Sequence, residues 1–570
     1  MRWRIAQTDP VAAGRLAREL GLSPFLAGIL ASRGQVEPAD VERMLSPRLA
    51  DVANPLDLPA VRVAAERVCR AVSARERIVV YGDYDVDGVT AVSLLLSFFR
   101  DIGVSAQYAI PSRFVDGYGL NMERSREIAA GGPGLVITVD CGSTSVDEVD
   151  FLAGQGVDVI VTDHHRLQET RPRCVVLVNP QAWDGSPYVV LAGVGVAFLL
   201  VSAVCVLLRQ AGHSGAAQVD LRRYLDIVTI GTVADMVPLT GVNRPLVVSG
   251  LKLMGAEPTR PGVVALKEVC GMAARPLEAG TIAFHLAPRL NAAGRLGSAQ
   301  TGIELLMAPG YAQALPLARK LDEDNRQRQQ IEAAVVKMAD DLARDPATGN
   351  APPALVLASP QWHIGVLGIV ASRLVEKHYR PTVLLNVEGD EACGSARSIP
   401  GFNIGGALES CSSLLMRHGG HAMAAGLSLA TANIDALRER LQHLVASTLS
   451  PEDMTPVLKV DAVLPLRCVT SETLSDMERL APFGMGNPEP VLASPDLRVI
   501  QKKLVGSGEH LKLVVESEGR RVEAIGYRLS RLPVEVGDVV EAAFIPEMRT
   551  FLGVTSLQLR LKDVRRNGGA

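Results

Sequence analysis

Hydrophobic positions fall into distinct textures along the chain. Residues 1–60 mix short apolar stretches with turns and carry few reactive side chains, which predicts an N-terminal helical region. From residue 77 uninterrupted apolar runs take over: RIVVYGD (77–83), GLVITVDCGS (134–143), VDVIVTDHH (157–165) and CVVLVNP (174–180). Runs without polar alternation suit strands covered on both faces. Val86 to Arg100 and EVDFLAGQG (148–156) read as helices between them. That alternation predicts a parallel sheet in an α/β domain, closed by a strand-like run in DIVTIGTVADMVPL (226–239).

Residues 189–208, VVLAGVGVAFLLVSAVCVLL, carry no charge and are long enough to span a bilayer. Candidate site residues stand on both sides, His164 and His165 before and Asp235 after. If these form one site, the segment cannot carry the chain across a membrane between them, so a buried helix of the α/β domain is expected. Residues 310–345 hold a charged helical stretch, read as a connector. After the Pro-containing TGNAPPA a second α/β pattern begins: strand-like ALVLASPQW and PTVLLNVEG around a helix at 364–378. Beyond Pro451 short strands recur at regular spacing, which predicts a small β-barrel of OB-like topology. The expected organisation is therefore α/β with a C-terminal barrel: helical region 1–60, parallel-sheet domain 61–300, connecting helices 301–348, second α/β domain 349–450 and barrel 451–570.

Composition refines this in three ways. Aromatic residues make up only 4% of the chain, so the cores must be built from Ala, Val and Leu. The net charge of −4 means that any nucleic-acid contact must be local, in a basic groove. The eight cysteines form no C-x-x-C pair, which argues against a zinc knuckle or a disulfide scaffold and suits a reducing cytoplasm. The N-terminus shows no apolar stretch followed by a small-residue cleavage site.

The chemistry begins in VVYGDYDVDGVTA (79–91), whose D-x-D-x-D-G opening resembles a calcium loop. Counting from Asp83, the twelfth position is Leu94 where such loops need a bidentate Glu, and a strand rather than a helix precedes it. Asp83 and Asp85 instead follow the first strand, Asp140 the second, Asp163, His164 and His165 the third, and Asp235 a later run. Parallel sheets gather functional groups beyond the carboxyl ends of their strands. A lone Asp after a strand is usually a turn or helix cap, but this combination is far more specific. Clustered carboxylates repel unless cations neutralise them, and carboxylates with imidazole and no thiolate suit Mn²⁺ or Mg²⁺. The set is large enough for two ions about 3.5–4 Å apart, an arrangement that clamps a phosphodiester.

GDYDVDG, VDCGS, TDHH and GTVADMVPL together resemble the four motifs of the DHH phosphoesterase superfamily. HLAPRLNAAGRL (285–296), the segment from Trp362 to Leu385, ARSIPGFNI (396–404), GGHAMAAG (419–426) and PFGMGNPEPV (482–491) resemble the RecJ family within it, bacterial 5′→3′ exonucleases specific for single-stranded DNA. GGHAMAAG is similar to the glycine-rich motif of the DHH-associated domain. The resemblance implies an exonuclease of DNA repair and recombination that releases 5′-mononucleotides, with single-stranded DNA, a single-strand-binding protein and a helicase as partners and no membrane. Asp83 and Asp85 would each favour one of two Mn²⁺ or Mg²⁺ ions, Asp140 would bridge them, and His164 and Asp235 would complete the ligands of the second ion. His165 would sit beside the scissile phosphate, Asp163 would orient an imidazole, and Asp87 would cap the helix that follows it. Many DHH proteins carry a His shortly before the first of these acids; the nearby residue here is Tyr81, which leaves one ion an imidazole short.

For the DNA strand, Arg289, Asn291 and Arg295 would offer phosphate donors, and Arg113, Ser395 and Arg397 would hold a terminal 5′ phosphate. His363, Gly420 and His421 would line the opposite wall of a cleft too narrow for duplex, and barrel residues Lys502, Lys503, His510 and Lys512 would guide the strand. Two other readings fit the acids less well. A phosphodiesterase for short oligonucleotides or cyclic dinucleotides, or a pyrophosphatase, would usually be shorter and lack the barrel. An inactive DNA-binding scaffold would have lost the acids, which are present here.

Overall fold

A computed structural model describes every residue except 113–116, 118, 257, 258, 274, 345–350, 552 and 567–570. The chain divides into two compact units. One comprises Met1–Arg2, Arg289–Ser298 and Arg319–Val457; the other comprises Trp3–Pro288, Ala299–Ala318 and Leu458–Ala570.

The larger unit opens with three short helices, α1 (Pro10–Leu20), α2 (Pro24–Ser32) and α3 (Pro38–Leu45). Each has proline in its first turn, where a missing N–H breaks no helical hydrogen bond. Helix α4 (Pro59–Ala74) turns Val61, Ala64, Ala65, Val68, Ala71 and Val72 inward at helical spacing and leads into a parallel sheet. Its strands are β1 (Ile78–Gly82), β2 (Ala106–Ala109), β3 (Leu135–Val139), β4 (Asp158–Thr162) and β5 (Val176–Val178), in spatial order β2-β1-β3-β4-β5. Every residue of β1 and β3 is buried, as an unalternating pattern demands. In this order the chain reverses direction across the sheet between β1 and β3, the switch point where such sheets place ligands.

Helix α5 (Val86–Asp101) follows β1. The long apolar segment forms α6 (Gly193–Gln210), which by length and composition could cross a membrane. Within the fold 72% of it is buried, and it packs on α4, α5 and α7 (Leu225–Ala234). Helix α7 corrects one expectation. The run before Asp235, read as a strand, is a helix buried on every side, which gives the same uninterrupted apolar pattern as a buried strand. Its one buried acid, Asp226, pairs with Arg260 at 2.7 Å.

The smaller unit takes in most of α8 (Ala287–Leu296) and α9 (Tyr311–Leu342). The latter begins before the charged run that suggested it and contains Pro316. A mixed sheet follows: β6 (Leu355–Ser359) parallel to β7 (Thr382–Glu388), then antiparallel β8 (Glu391–Arg397), with β10 (Ala424–Ala430) and β9 (Arg417–Gly420) beyond it. Helix α10 (Ile364–His378) crosses between β6 and β7 and packs on β7 and β8.

The C-terminal strands β11 (Leu492–Val505), β12 (His510–Ser517), β13 (Arg520–Gly526), β14 (Val539–Phe551) and β15 (Val554–Arg566) pair in the order β11-β12-β13-β15-β14, and β14 returns to β11. This closes a five-stranded barrel and leaves no edge among these strands. Its core also holds Leu16, Leu26, Ile29, Leu30 and Val41 of α1–α3. The two ends of the sequence thus share one apolar interior, and Trp3 adds a hydrogen bond from Nε1 to Asp563 at 2.9 Å. Leu26→Ala should therefore destabilise the barrel and the N-terminal helices together by about 2–5 kcal/mol. Hydrogen exchange should show both losing protection in parallel; protection lost in the helices alone would contradict a shared core.

Candidate metal centre

Three strand ends and one helix end build the site. Strand β1 ends in Gly82, and a Cβ there would lie 2.3 Å from a methyl of Val92 on α5. The chain then turns so tightly that a Cβ on Gly88 would meet the Asp83 carbonyl oxygen at 2.4 Å. Asp85 is the N-cap of α5, its Oδ1 accepting from the amides of Asp87 at 2.9 Å and Gly88 at 3.1 Å. The cap of α5 is thus Asp85 and not, as expected, Asp87. Asp87 lies inside the first turn, not at the cap position, and accepts the first two amides of α6, Gly193 at 2.5 Å and Val194 at 2.9 Å. It therefore caps a different helix from the one it begins.

After β3, Asp140 adopts a left-handed backbone, φ 60°, that side chains other than glycine rarely take. Its amide donates to Thr162 on β4 at 3.0 Å, which ties the two strand ends together. The N-terminus of α6 presses on it so closely that a Cβ at Gly193 would come within 2.6 Å of the Asp140 Cβ. After β4, Asp163 collects the amides of His164 at 2.7 Å, His165 at 3.1 Å and Ser143 at 3.0 Å, plus His165 Nδ1 at 2.8 Å. Asn179, directly after β5, supports this turn from below by donating to Ser143 Oγ and the His165 carbonyl, both at 2.9 Å. Asp235 caps the C-terminal end of α7.

The side chains converge. His164 Nε2 lies 3.2 Å from Asp140, 3.6 Å from Asp235 and 3.7 Å from Asp87. Three groups have ligand atoms all within 4.8 Å of one another: Asp83, Asp85 and Asp140; Asp140, His164 and His165; and Asp87, His164 and Asp235. Asp140 and His164 each belong to two of them.

Burial dominates the electrostatics. It raises Asp83 to about 8, helped by the charge of Asp85. It likewise raises Asp87 to about 7 and Asp235 to about 9, again with neighbouring carboxylates adding to the shift. Asp140 is held well above the usual carboxylate range by burial and by Asp87, Asp85, Asp235 and Asp83. Asp163 goes the other way: burial opposes ionisation, but the hydrogen bond and charge of His165 and the surrounding amides outweigh it and lower the carboxyl. Burial, then the charge of His165, pulls His164 down to about 4, so it stands as a neutral imidazole. His165 is raised by Asp163 despite burial, and with 35% of its side chain exposed it forms the open side of the cluster.

These residues fit divalent cations. Asp83 Oδ1 and His164 Nε2 are buried without a hydrogen-bond partner, a costly condition that a coordinated ion relieves. Hard carboxylate oxygens with imidazole nitrogens suit Mn²⁺ and Mg²⁺.

The smaller unit gathers a second set. His363 caps α10, its Nδ1 accepting from the Gly365 amide at 3.1 Å, while Arg295 Nη1 donates to the Gly365 carbonyl at 3.1 Å. Glycine is required there, since a Cβ would lie 2.7 Å from the Arg295 carbonyl oxygen and 3.0 Å from the His363 ring. One turn on, Gly368 leaves room for Arg397, whose Nη2 would be 2.8 Å from a Cβ, with Ser395 Oγ 3.6 Å from the same point. Ser395 and Arg397 pair across the sheet with Gly426 and Ala424, and Gly420 (φ 147°) with His421 begins the turn that returns to β10. Arg289 is engaged with Asp322 at 2.9 Å, and Asn291 is half-buried on α8. Arg113 lies outside the described residues. On the barrel, Lys502 and Lys512 pair with Glu535 and Glu523 at 2.8 and 2.9 Å, Lys503 is exposed, and the His510 ring meets Tyr527 edge-on at 5.4 Å.

Sequence reasoning missed Gly193 and Asn179. Gly193 opens the apolar segment, and Asn179 ends the last short apolar run; those positions were the available signals.

In the metal-free protein Asp83, Asp87 and Asp235 hold protons up to about 8, 7 and 9, whereas an ordinary carboxyl releases its own near 3.8. The fold then binds more protons than the unfolded chain between about pH 4 and 9, so metal-free stability falls as pH rises through that window. Cations take the place of those protons. The Tm increase caused by Mn²⁺ should therefore grow from about pH 6 to pH 9 in calorimetry; an increase independent of pH would contradict the cluster's role.

Family models place these elements among known domains. "DHH family, N-terminal domain" matches residues 77–232, "DHHA1 domain" residues 351–447 and "RecJ OB domain" residues 460–563. The single-stranded-DNA-specific exonuclease RecJ of Dickeya dadantii is 38% identical, over 95% of this chain and 96% of its own. The Bacillus subtilis protein of the same name is 36% identical over 93% of this chain, which spans 66% of that longer relative. The crystal structure of Thermus thermophilus RecJ with Mn²⁺ superposes with a TM-score of 0.84 at 31% identity, covering 100% of this chain and 80% of that one. With a complete set of acids at the switch point and relatives aligned almost end to end, the chain belongs to the RecJ family of DHH phosphoesterases.

Proposed function

We propose that the chain is a metal-dependent 5′→3′ exonuclease that hydrolyses single-stranded DNA to 5′-mononucleotides. The observation that carries this reading is the three interlocking Asp/His groups at the sheet switch point, in a chain whose relatives are named single-stranded-DNA-specific exonucleases. Asp83, Asp85, Asp140, His164 and Asp235 would hold Mn²⁺ or Mg²⁺, two ions in all. Bound there, such ions lower the pKa of water and neutralise charge at phosphorus.

The remaining residues have distinct tasks. Asp163 fixes His165 through Nδ1, so the proton His165 offers a phosphate oxygen is the one on Nε2. Asp163 raises the pKa of His165 despite burial, which favours the protonated ring. Asp87 anchors α6, and through Gly193 it holds the backbone against which Asp140 rests. Arg295, Arg397, Ser395, His363, Gly420 and His421 would hold the DNA backbone and its terminal phosphate, with Arg113, Arg289 and Asn291 as further donors; guanidinium forks suit that task. The exposed Lys503 and Tyr527 of the barrel offer a charge and a stacking face for a single strand.

DNA repair and recombination are the processes this activity serves, with a single-strand-binding protein and a helicase supplying the strand. None of the eight cysteines forms a disulfide, which suits the cytoplasm as the compartment. The intact acids disfavour an inactive scaffold.

Degradation of 5′-labelled single-stranded and blunt duplex DNA tests the reading. Mononucleotides are expected from the single strand alone, with Mn²⁺ or Mg²⁺ and not with chelator. Asp140→Ala should lower the rate roughly a thousandfold or more, because several kcal/mol of transition-state stabilisation depend on it. Undiminished activity in that variant would overturn the site, and equal rates on duplex would overturn the strand preference.

A further inference from the structure

The PFGMGNPEPV stretch (482–491) has no task in the reaction above, yet part of it walls a second cavity, of about 520 Å³, that lies wholly within the larger unit. Helix α3, residues 240–242 just beyond Asp235, and the 486–488 turn all contribute to it. Its charged lining is Arg33, Arg43, Arg244 and Lys459 with Asp40 and Asp51. The acids are already answered: Asp40 pairs with Arg43, and Asp51 with Arg48. Arg33 pairs with Asp461 at 2.9 Å. Among the described residues no carboxylate pairs with Arg244 or Lys459, so the cavity keeps a positive excess.

Arg244 is only 3% exposed. Its Nε donates to the Met44 carbonyl at 2.5 Å, and its Nη2 to the carbonyls of Leu480 and Ala481 at 3.0 and 2.6 Å. Its Nη1 is buried without a hydrogen-bond partner. Arg33, with 9% of its side chain exposed, donates through Nη1 to Asn487 Oδ1 at 3.3 Å and leaves Nη2 likewise unpartnered. Asn487 joins the two guanidinium groups, since its Nδ2 donates at 2.7 Å to the same Leu480 carbonyl that Arg244 holds. A buried charge is costly unless it is paired and fully hydrogen-bonded. Two guanidinium forks with nitrogens to spare beside one cavity suit an anion that offers several oxygens.

We propose that this cavity binds a phosphate group, with Arg244 and Arg33 as donors and Lys459 as a further positive charge. It is a site apart from the metal centre, and the proposal goes beyond the exonuclease reading without resting on it. Such a phosphate has two sources, the backbone of a bound strand and free phosphate.

Isothermal titration calorimetry of the full chain in chelator tests this without the metal centre. An Arg397→Ala background removes a donor of the separate terminal-phosphate set. Inorganic phosphate is expected to bind this protein. Arg244→Lys keeps the charge and removes the fork, whereas Lys459→Glu changes only an exposed side chain. Each should weaken phosphate binding roughly tenfold or more, and Lys459→Glu decides the matter where Arg244→Lys does not fold. An oligothymidylate without a 5′ phosphate separates the sources. If the site serves a strand, Lys459→Glu weakens its binding as well; if it serves free phosphate, only phosphate binding falls. No phosphate binding in the Arg397→Ala protein, or wild-type phosphate affinity in Lys459→Glu, would overturn the proposal. So would equal binding of acetate, or an Arg244→Lys variant that lowers Tm and leaves phosphate affinity unchanged, the mark of an arginine that only ties carbonyls together.

Discussion

Burying several carboxylates within a few ångströms of one another is the constraint on which the structure turns. Asp83, Asp87 and Asp140 are almost wholly inaccessible; burial and the charge of Asp85 raise the affinity of all three for protons, and Asp87 and Asp83 add to that of Asp140. No fold keeps such a cluster for stability, because like charges in a poorly solvated site favour neutralisation. The structure answers with oriented amides. Asp85 takes those of α5, Asp87 those of α6, and Asp163 three from neighbouring turns. Helix N-termini carry partial positive charge, so the parallel sheet brings its own compensation to the edge where the acids gather. What the amides leave uncompensated, cations can complete.

The same requirement explains the long apolar helix. Helix α6 must bring its N-terminus into the middle of the domain to reach Asp87, so the rest of it runs through the interior and is apolar on nearly every face. Gly193 lets it approach Asp140 more closely than any other residue would allow. Hydrophobicity that resembles a membrane span thus follows from where one end of the helix has to be.

Much of this was legible in the sequence. Unalternating apolar runs ending in acid marked β1, β3 and β4, and the spacing of Asp83, Asp140 and His164 followed from strands that end at one edge. Asp235 was placed at the site for an incomplete reason: its run is a helix, and periodicity cannot separate a helix buried on all sides from a buried strand. Asp87 was read as the cap of α5, which is Asp85, because positions two residues apart at a helix start differ in direction, which a linear motif does not record. The shared core of α1–α3 and the barrel left no local signal, because contacts between chain ends depend on topology. The clustering of Arg295, His363 and Arg397 around Gly365 and Gly368 likewise needed coordinates, although each motif was visible alone.

The central claim is that this cluster exists to bind divalent cations. Anomalous diffraction at the manganese edge from crystals grown with Mn²⁺ measures it most directly. The account predicts two peaks, about 3.5–4 Å apart, in contact with Asp83, Asp85, Asp140, His164 and Asp235. An anomalous map with no peak in the cluster, or with Mn²⁺ bound only elsewhere, would contradict it.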